Sequence, residues 1–301
     1  MEKTILIFRI KKSRLKARDL ALQETKSIIN NNDVDVVLGG PLSSERGIIA
    51  AYLPDSFDID ALAQNFPNLG YIGQVDIMVP TTHETKDTIK WKGAFYKLET
   101  IYEENAEEVR NQAPDKRSFL LPDPNGNLRY VVGYRGDGTE TGKRALPVED
   151  CKMMLNLACV KIGQRILDPF AGAGGIVFAA VHAGFDVFSS DVDPKMQYGL
   201  TDFGSKHQVA DIRKLPFEKD FFDAIVTEAP FDHKVTKTVA DGLGEMKRVL
   251  KPFGNIVLMV ADYQAKEIKN AATCIGLNIS TDQPLDRKGT AVHIFRMSKD
   301  F

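Results

Sequence analysis

The sequence has few of the residues that build covalent or metal-held scaffolds. Its 301 residues include three cysteines, Cys151, Cys159 and Cys274, an odd number with no CxxC pair. That excludes a disulfide framework, offers no zinc-ligand spacing, and fits a reducing, cytoplasmic setting. His182, His207, His233 and His293 lie at scattered spacings, so no metal site is expected. No apolar run approaches the roughly 18–20 residues that span a bilayer, and no membrane partner is expected. The opening MEKTILIFRIKKSRLK puts a short apolar stretch before its basic residues. A signal peptide has the reverse order, so none is expected. Net charge of one sign is also lacking: 39 Lys+Arg stand against 41 Asp+Glu, a formal charge of −2. An even spread of that charge would argue against a nucleic-acid partner.

The charge is not evenly spread. Residues 1–26 carry eight basic side chains to three acidic, and residues 110–144 carry seven to four. Each run is either a solvated face or a phosphate-contacting one. The hydrophobic fraction of 43% suffices for packed cores and excludes a largely disordered chain. The length suggests two domains.

The first part of the chain reads as a small α+β module. ILIFRI, DVDVVLGG, RGIIAAYL and YIGQVDIMVP are strand candidates, the last halted by Pro80. Residues 16–30 have near-helical apolar spacing, and DIDALAQNF opens with an Asp cap. A further strand is expected around Gly93–Tyr102, then a short helical stretch. RSFLLPDPNGNLRYVVGYRG reads as a hairpin turning at PNGN, with Phe119, Tyr130 and Tyr134 as its core. DGTETGKR reads as a loop, which places the domain boundary near 140–147. The expected division is 1–145, a candidate RNA-binding module with the hairpin as connector, and 146–301.

From Leu146 the pattern becomes a helix–strand alternation, which implies a parallel sheet with helices on both faces. Its first strand runs into Asp168-Pro169-Phe170 and then Ala171-Gly172-Ala173-Gly174-Gly175. Glycines there permit positive φ and close approach of a ligand to the backbone. Seventeen residues past Gly174 a second strand ends in Asp191, where nucleoside-binding α/β folds set a carboxylate against ribose hydroxyls. A dinucleotide site fits poorly, because Asp168 would oppose a pyrophosphate yet favour an amino group. A third strand ends at Asp211, and a fourth stops at Glu228-Ala229-Pro230-Phe231, the sheet edge at which such folds bind ligands.

DPFAGAGG, Asp191, Asp211 and EAPF, in this order, resemble the class I S-adenosylmethionine-dependent methyltransferases. Within that class the sequence is similar to the RNA methylases of the tRNA guanosine-10 N2-methyltransferase family. The similarity covers about the last half of the chain. It implies a Rossmann-like α/β sheet, S-adenosylmethionine as cofactor, and RNA, above all tRNA, as partner. It also implies that Asp168, Pro169, Phe170, Gly172 and Gly174 face the methionine part of the cofactor. Asp191 and Val192 would hold the ribose side, and Asp211 and Ile212 the adenine. Glu228, Pro230 and Phe231 would form the catalytic loop: carboxylate and backbone carbonyl accept from the target amine, and the ring stacks on the base.

The family's loop normally reads Asp or Asn, Pro, Pro, aromatic. Glu228 is one methylene longer than that acid or amide, and Ala229 replaces the first proline. Three readings follow: an RNA base N-methyltransferase, a methyltransferase acting on DNA or a small molecule, and a non-catalytic binding descendant. The last third supplies a helix closed by Pro252 and Gly254, the strand NIVLMVA, another helix, and a terminal strand pair. In the family the last strand of that pair inserts antiparallel.

Overall fold

Residues 3–30, 32–111, 118–132, 146–287 and 289–300 are described by a computed structural model of the chain. They form two units, Met1–Ala106 and Glu107–Phe301. In the first, β1 (Thr4–Ile10), α1 (Arg18–Ile29), β2 (Asp35–Leu38), β3 (Ile48–Leu53), α2 (Ile59–Ala63) and β4 (Ile72–Thr81) follow a β-α-β-β-α-β order. A hairpin of β5 (Ile89–Trp91) and β6 (Ala94–Glu103) completes a six-stranded sheet ordered β2-β3-β1-β4-β6-β5. Asp58 caps α2 as expected, accepting from the Ala61 amide at 2.9 Å. Pro80 does not halt β4; it pairs with Tyr96 of β6 at a point where β4 has outrun β1, an open edge that tolerates proline.

Both faces of β1 are buried because both are covered. Phe8 meets Phe66 edge to face at 6.0 Å on one side, with Leu20 and Tyr71 also buried. Ile5 and Ile7 pack on the other with Ile48, Ala50, Met78 and the partly buried Trp91. The carboxylate of Glu24 on α1 is buried and accepts from the Gly70 and Tyr71 amides at 2.6 and 2.9 Å, pinning the approach to β4. Several of the basic residues near the amino terminus are spent internally. Arg9 pairs with Asp76 and Glu45, Lys11 pairs with Glu104, and the Arg14 guanidinium lies over Tyr71. Lys12, Lys16, Arg18 and Lys26 are exposed.

The short helix α3 (Ala106–Asn111) stands at the division between the units. The hairpin β7 (Ser118–Pro122) and β8 (Leu128–Val132) turns at Asp123–Asn127, where the Asp123 carboxylate accepts from the Asn125 and Asn127 amides. Sequence placed this hairpin in the first domain, with a boundary near 145. The structure groups it with the second unit, because Phe119 is 1% exposed and its ring lies 5.5 Å from that of Phe203. Gly199 admits that ring: a Cβ there would come within 2.4 Å of it. Tyr130 is not core. It is 58% exposed and donates its hydroxyl to Asp202 at 3.2 Å. Tyr134 and the DGTETGKR loop lie outside the described residues.

The remainder alternates as expected: α4 (Val148–Leu157), β9 (Arg165–Asp168), α5 (Gly175–His182), β10 (Asp186–Asp191), α6 (Met196–Asp202), β11 (Lys206–Val209) and β12 (Phe222–Glu228). Then follow α7 (Thr236–Val249), β13 (Leu250–Ala261), α8 (Asp262–Cys274), β14 (Leu277–Arg287) and β15 (Thr290–Lys299). Helix α7 ends before Pro252, which sits inside β13 instead of closing the helix. The seven strands are ordered β11-β10-β9-β12-β13-β15-β14. The first five run parallel, and β15 is antiparallel to both β13 and β14. The strand order reverses between β9 and β12. A crevice opens outside the strand ends at such a reversal. Asp168, Asp191 and Glu228 end β9, β10 and β12 on that same side.

Candidate functional site

The turn after β9 leads into the amino terminus of α5. Gly172 and Gly174 take φ of +48° and +73°, a region that side chains with a Cβ rarely enter. At Gly174 a Cβ would also press on Leu200 and Phe203 at 3.0 Å. The Gly172 amide donates to Asp191 Oδ2 at 2.8 Å, and Asp193 N donates to Oδ1 at 2.9 Å. The two bonds fix the Asp191 carboxylate against the glycine turn. Val192, next to it, is 71% exposed, an apolar surface with no packing role in the sheet.

Asp168 is 2% exposed and accepts from Thr227 Oγ1 at 2.6 Å and from the Phe170 amide at 3.3 Å. Burial pushes its carboxyl up to about 7; the charges of Asp191 and Glu228 add to that, and the two hydrogen bonds oppose it. Pro169 is buried behind it, and Phe170 is half-buried. Asp211 lies two residues past the end of β11 rather than within it. Both its oxygens are held by Arg213, which draws its carboxyl down to about 2. Ile212 is buried against Gly242 of α7.

The loop after β12 has a different surrounding. Glu228 is paired with Arg287 Nη1. Arg287 comes from the end of β14, and its Nε lies 3.4 Å from Asp150 Oδ2 on α4. Burial pushes the Glu228 carboxyl up, Arg287 draws it down, and Asp150 adds a smaller upward push. Ala229 is buried, and its amide donates to Met259 O at 2.9 Å. The Pro230 carbonyl accepts from Gln264 Nε2 at 3.0 Å, which leaves the Ala229 carbonyl as the backbone acceptor to consider beside Glu228. Phe231 is 37% exposed, and the neighbouring His233 ring stacks on Tyr263 at 3.6 Å.

The structure therefore gathers Asp168, Gly172, Gly174, Asp191 and Glu228 at one sheet edge and ties Asp211 to its own neighbour. Sequence reasoning missed Thr227, Gln264, Asp150 and Arg287. Thr227 was readable as the polar residue between the apolar run Ala224–Val226 and Glu228; the other three come from elements remote in sequence. Among the described residues no cluster of three or more His, Cys, Asp or Glu is arranged to hold a metal, and no helix is long and apolar enough to cross a membrane.

These residues fit a sulfonium-bearing nucleoside. The buried acid Asp168 suits a cationic amino acid portion. Asp191, fixed by two amides, sets a carboxylate where ribose hydroxyls would sit, and exposed Val192 offers a face to a planar base.

Comparison with known proteins agrees with that chemistry. Residues 167–258 match the model of a methyltransferase domain. The tRNA (guanine(10)-N2)-dimethyltransferase of Methanothermobacter thermautotrophicus is 40% identical over 136 residues, 42% of this chain and 33% of the relative. The U6 snRNA (guanine-N(2))-methyltransferase of Bos taurus is 32% identical over 136 residues, 41% of this chain and 27% of the relative. The match thus spans a third or less of these relatives' lengths. In fold, TrmN from Thermus thermophilus superposes with a TM-score of 0.53 at 15% identity, covering 98% of this chain and 99% of that one. The second unit thus has a Rossmann-like sheet, carries a methyltransferase domain over residues 167–258, and resembles the class I S-adenosylmethionine-dependent methyltransferases.

Proposed function

We propose that this protein transfers a methyl group to the exocyclic amine of a guanine in RNA, with tRNA as the substrate class. The observation that carries the reading is the Glu228 carboxylate at the crevice end of β12, with the exposed Phe231 ring three residues on. The similarity to RNA guanine-N2 methylases supports guanine and RNA over DNA or a small molecule.

The cofactor, when bound, supplies a methyl group on a positively charged sulfur. An exocyclic amine is a weak nucleophile, because its lone pair is delocalised into the ring. In this reading Glu228 and the Ala229 carbonyl accept its two N–H bonds and turn the lone pair toward the methyl group. The amine nitrogen would gain the methyl group as the sulfur–methyl bond breaks and its electron pair stays on sulfur; one proton leaves the amine, and Glu228 is placed to receive it. Phe231 stacks on the extruded base. Gln264 holds the loop by its grip on Pro230. Asp168, Pro169, Phe170, Gly172, Gly174, Asp191 and Val192 hold the cofactor, with Asp211 and Ile212 on its adenine side.

The first unit, with exposed Lys12, Lys16 and Arg18, grips RNA phosphates in this reading. A tRNA substrate and three free thiols accord with a reducing cytoplasm. One observation favours a second reading: Glu228 already has a cationic partner, as an acid retired from catalysis would. Incubation of unmodified tRNA transcripts with methyl-labelled cofactor, followed by nucleoside analysis, separates the two. N2-methylguanosine is expected. Cofactor binding by calorimetry without label in RNA or DNA would establish the non-catalytic reading.

A further inference from the structure

We propose that Arg287 is a positioning residue for methyl transfer: anchored on Asp150, it fixes the Glu228 carboxylate in one orientation at the acceptor edge. The proposal rests on the methyl-transfer reading. Glu228 has one more rotatable bond than the aspartate or asparagine that the loop motif normally carries. A carboxylate free to rotate about that bond would spend little time aligned with an incoming amine. Arg287 removes that freedom. Its Nη1 pairs with Glu228 Oε1, its Nε lies 3.4 Å from Asp150 Oδ2, and the same Nη1 lies 3.4 Å from Met259 Sδ. Three elements, α4, β13 and β14, thus converge on one planar guanidinium, which in turn holds the end of β12. A planar guanidinium can face two carboxylates at once, here Glu228 by a hydrogen bond and Asp150 by charge at 3.4 Å without a hydrogen bond between them, and an ammonium offers no such fork.

The charge of Arg287 has a second consequence. Among the described residues, the ionisable groups that face Glu228 are Asp150 from α4, Asp168 from β9 and Arg287 from β14. Two are acids and one is a cation. Removing the cation leaves a largely buried carboxyl beside two other acids, a setting that favours its protonated form. Protonated, Glu228 can no longer receive the amine proton. Arg287 therefore sets both the direction and the charge of the acceptor.

The test uses the full chain, tRNA transcripts and two variants, Arg287→Met and Arg287→Lys. Arg287→Met should lower kcat about a hundredfold, the scale of an ångström misplacement. It should also move the acidic limb of the kcat–pH profile upward by at least about one pH unit, with unchanged cofactor affinity. Arg287→Lys keeps the charge and loses the fork, so kcat should fall while the acidic limb stays near its wild-type position. A folded Arg287→Met protein with wild-type kcat and an unmoved limb overturns the proposal. Carbon-13 titration of the glutamate carboxyls, with the Glu228 signal assigned by Glu228→Gln, provides a readout independent of turnover. If the wild-type protein methylates no RNA, the activity reading fails and this titration decides the rest. An upward shift of Glu228 in Arg287→Met then supports its control by Arg287, and an unchanged titration overturns it.

Discussion

Two acids close neighbouring strands of one sheet and are kept there by opposite means. Asp168, at the end of β9, is buried with a hydroxyl and an amide as partners and, among the described residues, no cation. Glu228, at the end of β12, has a guanidinium. Burying a lone carboxylate is costly, so Asp168 stays partly protonated near neutral pH, its pKa raised to about 7 by burial and by two nearby acids. Arg287 opposes the same burial effect at Glu228 without cancelling it, so that carboxyl too lies above its ordinary value. The contrast suits a division of labour. A protonated acid waits for a cationic ligand to ionise it, whereas an acid that must accept from an uncharged amine has to be ionised beforehand.

The contrast breaks most sharply if Glu228 is removed. Glu228→Ala should lower methyl transfer by about 10²–10⁴-fold, the range for a lost general base. Cofactor affinity, measured by calorimetry at pH 8, should stay within about twofold, because Asp168 is ionised there in either protein. Equal turnover of variant and wild type would assign the proton elsewhere. Phe231→Ala should be milder. Losing one stacked base costs about 1–3 kcal/mol, or about 5–150-fold in KM for RNA, with kcat less affected. A kcat loss at constant KM would mean that the ring aligns the base without binding it.

How these two acids were read from sequence differs in an instructive way. DPFAGAGG, Asp191 and the apolar strands gave the sheet, the reversal of strand order and the side on which ligands gather, because these follow from local periodicity and chain order. Glu228 was legible as a departure from a motif. Its partner was not: Arg287 lies 59 residues away, at the polar end of β14. Nothing local distinguishes it from a solvated arginine, and only the antiparallel insertion of β15 brings the end of β14 to the site. The hairpin boundary was misjudged for a related reason. A Gly- and charge-rich loop suggests a linker, but the fate of the hairpin depended on Phe119 finding the gap over Gly199. Asp211 looked available at a strand end, and the arginine two residues later captured it.

A subtler way to probe the contrast is through pH. A carboxyl raised in the folded state from 3.8 to about 7 contributes stability that is fully present below the unfolded value and lost as pH rises through about 7. Cofactor binding runs the other way. A cationic ligand prefers the ionised acid, so affinity should weaken as pH falls below about 7, by up to tenfold per pH unit, with a proton released on binding. Asp168→Asn should flatten both dependences. Calorimetry in buffers of different ionisation enthalpy reads the released proton directly, and a binding constant independent of pH between 5 and 8 would remove Asp168 from the cofactor site.

The smallest expected effect is the most specific. Among the described residues, Thr227 is the one side chain that donates a hydrogen bond to Asp168, at 2.6 Å. Thr227→Val keeps the branched shape inside β12 and deletes that donor. Its cost in stability should be about 1 kcal/mol, the net worth of one hydrogen bond. Losing a donor to the ionised form disfavours that form, so the carboxyl should rise further. The pH at which cofactor affinity begins to fall should then move upward while the slope is kept. An unmoved breakpoint in a folded variant would mean that the titrating group is not Asp168, and that the difference between the two strand ends lies in their partners alone.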